Sequence, residues 1–169
     1  MCRGGYKDLP DYLINNLIIY MSKTIISACL LGIPCRFNGK GKEKDKAIKE
    51  YLTGKSIPVC PEITAGETTP RPACEIVGGD GFDVLEGKAK IIGKDGENYT
   101  ESYINGAQMI IDEFVRNKDI KKAILKKGSP SCGCGCIFDG TFSGIEKKGY
   151  GVFSAMLLKY NKNIKVEEL

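Results

Sequence analysis

Three cysteines stand far apart in the chain, each in a loop that follows a short apolar run: Cys29 in SACLLG, Cys60 in VCPE and Cys132 in GSPSCG. The 169 residues include no histidine, so no imidazole is available as a general base or as a ligand to zinc, copper or haem. Any metal site must therefore rest on Cys, Asp or Glu. Ligation by thiolates alone favours iron–sulfur, although a structural zinc held by four thiolates would satisfy the same residue list. Structural zinc normally uses two close CxxC-type pairs, whereas these cysteines are singletons in three different loops. Singletons point to a [4Fe-4S] cluster held at three corners with one iron left open. One isolated cysteine is more often a small buried hydrophobe; three at equivalent strand ends make coincidence hard to sustain.

The neighbours of these cysteines also suit chemistry. Pro61 fixes the chain after Cys60, and Glu62 is placed to reach back as a proton carrier, its bland alternative being a solvated loop acid. Ser129 and Ser131 flank Pro130 directly before Cys132, where hydroxyls can donate to a sulfide or a substrate, or simply cap a turn. Arg36 and Arg71 offer planar donors for a carbonyl or an anion. The run Cys132-Gly133-Cys134-Gly135-Cys136 puts alternate thiols on one side of an extended segment. It reads as a metal-binding run, a redox pair, or spare cysteines beside one ligand. A non-catalytic iron, sulfur or zinc carrier built on that run is the second class of function. Cys2 is expected to be idle.

These residues need elements that bring them together. Thr24-Ile25-Ile26, Ser56 to Val59 and Ala123-Ile124-Leu125 read as short buried strands, and each delivers a cysteine to the loop that follows. In an open parallel sheet, loops beyond the carboxyl ends of the strands converge on one crevice. Helices are expected over Lys44 to Leu52, with Ala47, Ile48, Tyr51 and Leu52 on one face, from Thr100 as N-cap through Val115, and from about Gly151 to Tyr160. A closing strand is expected near Ile164 to Val166. Pro61 to Gly81 reads as loop, and Phe82 to Lys94 as a Gly-interrupted extended segment or hairpin. The fold class is α/β: a single Rossmann-like domain with a mostly parallel sheet flanked by helices, over residues 22–169. Residues 1–21 read as an N-terminal extension, with Met21 a candidate start.

At 42% hydrophobic, the chain has material for one core. Eight cysteines are too sparse for a disulfide scaffold, and no apolar run is long enough to cross a membrane, so a reducing cytoplasm is expected. The net charge of +4 is spread along the chain. The Lys40 to Lys49 segment also carries Glu43 and Asp45 and no aromatic platform, so it reads as a solvated helix face rather than a nucleic-acid site.

Four ordered blocks carry a family resemblance: ISACLLGIPCRFNGKGK, VCPE followed by TPRPACEI, ILKKGSPSCGCGCIFDGTFSG, and GYGVFSAML. Together they resemble the TudS-type thiouracil desulfidases, over nearly everything after Met21. The resemblance implies that Cys29, Cys60 and Cys132 are the three ligands of a [4Fe-4S] cluster whose fourth iron takes sulfur from a small thiolated substrate. It implies Glu62 and one of Ser129 and Ser131 as acid–base and hydrogen-bonding groups, and it puts Arg36, Asn38 and Arg71 in substrate loops. Cys35, Cys74, Cys134 and Cys136 fall at variable positions. The chain departs from the pattern in AGETTPR, where GGLPTPR is expected, and in Asn38, where RYDG has Asp.

Overall fold

The computed structural model describes residues 24–116 and 119–169, and the expected extension over residues 1–21, with Cys2, lies outside them. Four short strands, β1 (Thr24–Ser27), β2 (Ser56–Val59), β5 (Lys122–Leu125) and β8 (Lys165–Glu168), form one sheet in the order β2-β1-β5-β8. All three pairings are parallel, with Ile25 opposite both Ile57 and Ala123. Ile25, Ile26, Ile124 and Leu125 are wholly buried, as β-branched and aliphatic runs covered on both faces should be. The single α/β architecture with a mainly parallel sheet is thus present, and no helix among the described residues is long and apolar enough to cross a membrane.

Helix α1 (Asp45–Tyr51) crosses from β1 to β2, helix α4 (Thr100–Ile110) runs on into a π-turn at Ile111–Val115, and α5 (Val152–Tyr160) precedes β8. The apolar face read for α1 is only partly buried. Ala47 is enclosed, but Tyr51 and Leu52 are exposed. Thr100 is not the N-cap of α4. Its Oγ1 accepts from Ile91 N at 2.9 Å, while Asn98 Oδ1 accepts from Thr100 N at 3.0 Å and so supplies the first-turn acceptor.

The segment read as loop from Pro61 to Gly81 contains a one-turn helix α2 (Pro61–Thr64) and strand β3 (Cys74–Val77). Strand β3 pairs antiparallel with β4 (Lys90–Gly93), and between them sits α3 (Gly81–Leu85), closed by a capping box of Asp80 and Asp83. The expected hairpin over Phe82 to Lys94 is therefore corrected: only β4 lies there, its partner β3 falls in the segment read as loop, and a helix stands between them. The last three residues of the CGCGC run, from Cys134, open β6 (Cys134–Phe138), which pairs with β7 (Glu146–Tyr150).

Helix α2 lies so close to α4 that a Cβ on Gly106 would collide with the Pro61 carbonyl oxygen and come within 2.8 Å of Ala65 Cβ. In an open helix, Gly→Ala stabilises by about 1 kcal/mol. Here overpacking costs about 1–3 kcal/mol and wins. Gly106→Ala is expected to lower the urea midpoint of unfolding with an unchanged m-value, and a raised midpoint would mean that the two helices part freely.

Candidate active site

The carboxyl ends of β1, β2 and β5 lie along one edge of the sheet, and each is followed by one of the singled-out cysteines. Cys29 sits in the 3₁₀ turn Ala28–Leu31 after β1, Cys60 is the residue before α2, and Cys132 lies in the loop after β5. All three line one cavity of about 270 Å³, together with Glu62, Arg36, Arg71 and Ser129. That is close to the lower end of small-ligand pockets, roughly 300 Å³. Cys35 and Cys74 line it too, so five of the eight cysteines face the same space. The Cys60 thiol donates to the Cys35 carbonyl oxygen at 3.8 Å, and the Cys35 thiol lies near enough to those of Cys29 and Cys60 to feel both. Among the described residues no three Cys, Asp or Glu side chains close on a point as a single ion would require.

The Cys132 loop is held by the start of α5. Val152 N donates to Pro130 O and Phe153 N to Ser131 O, both at 2.9 Å, and Gly151 N and Ser154 Oγ donate to Gly133 O at 2.7 and 2.6 Å. The first N–H groups of a helix have no partner within it, and here the cysteine loop's carbonyls supply those partners. Gly151 permits this approach, since a Cβ there would collide with the Ser131 carbonyl. Ser129 Oγ accepts from Ser131 N and Cys132 N, both at 3.1 Å, which shapes the turn and leaves its own O–H to donate on the cavity wall.

Ser131 is off that wall. It is fully buried, and its Oγ has no hydrogen-bond partner of ordinary geometry, but it lies beside the Cys132 sulfur. Ser27 lies there as well. Its Oγ accepts from Lys126 N at 3.1 Å, which leaves its O–H free to donate to the same sulfur. Burial pushes the Cys132 thiol up to about 12, with the two hydroxyls pulling the other way. Contact with Cys29 raises Cys35 to about 11, and the Cys35 contact and burial raise Cys60.

Arg71 is 8% exposed, and all five of its N–H groups are engaged. Nε donates to Glu62 Oε2 at 2.9 Å, Nη1 to Thr68 O and Thr69 Oγ1, and Nη2 to Cys35 O at 2.9 Å and to Glu62 Oε2. A guanidinium has five donors and no acceptor. None is left for a substrate, and Arg71 instead ties the Cys35 loop, α2 and the Thr68–Thr69 turn together. Both bonds to Glu62 fall on Oε2, leaving Oε1 without a protein donor among the described residues.

Arg36 does face the cavity, with Nη1 donating to Gly41 O and the guanidinium over Phe37. Asn38 does not: it is exposed, away from the cavity wall, and its Oδ1 accepts from Lys40 N. Cys35, Cys74, Ser27, Lys126 and Tyr103 were not singled out by the sequence reading. Cys35 and Ser27 stand inside the first motif block and could have been found by their closeness to Cys29.

A thiol-lined crevice at the carboxyl edge of a parallel α/β sheet, with one anchored carboxylate, defines the class. The chain belongs to the 2-thiouracil desulfurase family, whose profile matches residues 24–169. A curated protein of Bacillus subtilis (strain 168), described as uncharacterized protein YbbK, is 44% identical over 133 residues, which are 79% of this chain and 87% of that protein. A solved structure of the [4Fe-4S]-dependent thiouracil desulfidase TudS aligns with a TM-score of 0.73 at 32% identity, covering 87% of this chain and 90% of that one. The family resemblance carried by the four blocks is thus found across the domain.

If Arg71 is a clamp, removing it leaves Glu62 unpaired in a poorly solvated place, which costs about 3 kcal/mol or more. Arg71→Met is expected to lower unfolding stability by that order, Arg71→Lys by less, and Lys88→Met, at the exposed Lys88–Glu86 pair, by almost nothing. Urea unfolding of the three variants checks it; equal effects of Arg71→Met and Lys88→Met would refute the clamp.

Proposed function

We propose that the chain removes sulfur from a small thiolated compound such as 2-thiouracil and releases it as hydrosulfide, using a [4Fe-4S] cluster held by Cys29, Cys60 and Cys132. The observation that carries this reading is the meeting of three strand-end cysteines and an arginine-anchored carboxylate on one small cavity. Replacing C=S by C=O with water and releasing hydrogen sulfide balances in atoms and electrons, so the conversion is non-redox, a hydrolytic C–S cleavage.

The donor set suits the cluster. Thiols are the ligands iron–sulfur centres use, and the chain offers no imidazole. The otherwise unpartnered Ser131 hydroxyl, with that of Ser27, can donate to the Cys132 sulfur once it is a thiolate. Because burial holds Cys132, and the Cys35 contact together with burial holds Cys60, as neutral thiols, taking up iron must release their protons. When bound at three corners, such a cluster supplies an open iron that acts as a Lewis acid toward the thiocarbonyl sulfur.

The chain's own groups have separate tasks in this reading. Glu62 Oε1, free of Arg71, takes a proton from the water that adds to the thiocarbonyl carbon and can return it to the departing sulfur. Arg71 fixes that carboxylate. The Ser129 hydroxyl donates to the charge that develops on the substrate, and Arg36 to a substrate carbonyl or anion. Ser131 and Ser27 serve the Cys132 sulfur rather than the substrate.

Anaerobically prepared protein is expected to carry about four irons and four sulfides per chain. Cys29→Ala, Cys60→Ala and Cys132→Ala should each abolish them, while Cys134→Ala and Cys136→Ala keep them. Stoichiometric zinc without inorganic sulfide, or iron loss from Cys136→Ala alone, would refute the assignment. For Glu62→Gln, matched to wild type for iron, hydrosulfide release from 2-thiouracil should fall by roughly 10²-fold with the absorbance spectrum unchanged. Turnover within about threefold of wild type would remove Glu62 from the proton transfers.

A further inference from the structure

Phe37, Phe138 and Phe142, half of the chain's six phenylalanines, line the cavity. Phe142 is unlike the others. Its φ is +58°, the one positive value outside glycine among the described residues, and bulky side chains rarely adopt that conformation. It is imposed from outside the loop. Glu75 on β3 is 7% exposed, and its Oε2 accepts from Gly140 N at 2.9 Å and from Phe142 N at 3.0 Å. Gly140 in turn sits so close to β3 that a Cβ would meet the Ile76 carbonyl oxygen at 2.5 Å. A buried carboxylate therefore pins the β6–β7 loop to β3 and holds a half-buried aromatic ring on the wall of the cavity, in a backbone state the loop would not choose alone. Strain of this kind persists where surrounding structure enforces it, and it concentrates at ligand-holding positions.

We infer that Phe142 is the platform on which the planar ring of the substrate stacks, and so a residue that selects flat rings in this cavity. The inference rests on the desulfidation reading for the sulfur, but not for the ring. Every planar base presents a π face, and aromatic stacking is sensitive to planarity rather than to the ring's hydrogen-bonding groups.

Uracil and 5,6-dihydrouracil carry the same carbonyl and N–H groups, but only uracil is flat, and neither has sulfur. Equilibrium dialysis against iron-loaded wild-type protein under anaerobic conditions is expected to give uracil binding about tenfold or more tighter than dihydrouracil, as loss of one stacking contact implies. Phe142→Leu should weaken uracil by a similar factor and Phe142→Tyr should restore it, with equal iron and sulfide content in all three proteins. Equal binding of the two pyrimidines by wild type, no uracil binding at all, or a Phe142→Leu protein that binds uracil as wild type does, each overturns the inference. If uracil binds in the expected order but 2-thiouracil yields no hydrosulfide, the stacking inference stands and the desulfidation reading fails.

Discussion

Parallel pairing of β2, β1 and β5 is the constraint from which the site follows. Parallel strands point the same way, so their carboxyl ends share one edge, and residues more than thirty or seventy positions apart in sequence arrive there together. With Ile25 opposite Ile57 and Ala123, the three strands stand in level register, and the loops beyond them bring Cys29, Cys60 and Cys132 to one cavity. A one-residue slip of β2 would turn Ile57 and Val59 out of the core, so hydrophobic burial fixes the register that positions Cys60. The stability of the sheet and the placement of the thiols are therefore one problem.

Strand ends alone do not hold loops, and two polar clamps complete the arrangement. The first turn of α5 meets the carbonyls of the Pro130–Gly133 turn, so a helix end that would otherwise face water is satisfied by the loop that carries Cys132. The Arg71 fork does the same for the other side, joining the Cys35 carbonyl to Glu62. Both clamps explain why short blocks far apart in sequence go together. GYGVFSAML is needed because GSPSCG has to be held, and TPRPACEI because VCPE does. Glu75, in that same block, extends the principle to the β6–β7 loop through Gly140 and Phe142.

Much of this was legible from residues alone. The β-branched runs at Thr24 to Ile26 and Ala123 to Leu125, and the convergence of Cys29, Cys60 and Cys132, follow from period and strand-end position. What was not legible has physical reasons. Helix α2 is a single turn and α3 barely more, too short to show a period. The CGCGC hairpin draws its order from β7, a partner with no apolar alternation. Arg71 reads as a donor for substrate in sequence because its five bonds go to four acceptors on four residues, two of them backbone oxygens that no side-chain pattern reveals. Asn38 has the opposite history: it lies in the right motif, but its turn points it at Lys40.

The thiols themselves separate the enzymatic reading from a carrier built on the CGCGC run. A sulfur or iron carrier works through exposed thiolates of lowered pKa, which attack and release readily. Cys136, the more accessible of the two hairpin thiols, instead donates to Glu146 Oε2 at 3.0 Å, and that carboxylate pushes its pKa up. Burial raises Cys134 to about 11, with Glu168 acting in the same direction. Neither environment makes a nucleophile at neutral pH. In the cavity Cys35, Cys60, Cys74 and Cys132 are also held neutral, but there the consequence is reversed. A buried thiol that is a poor nucleophile becomes a strong ligand once iron replaces its proton, because the cation offsets the charge that burial penalises and hydroxyls such as those of Ser27 and Ser131 stand ready to donate to the sulfur. The same low solvation thus argues for metal at the sheet edge and against exchange chemistry on the hairpin.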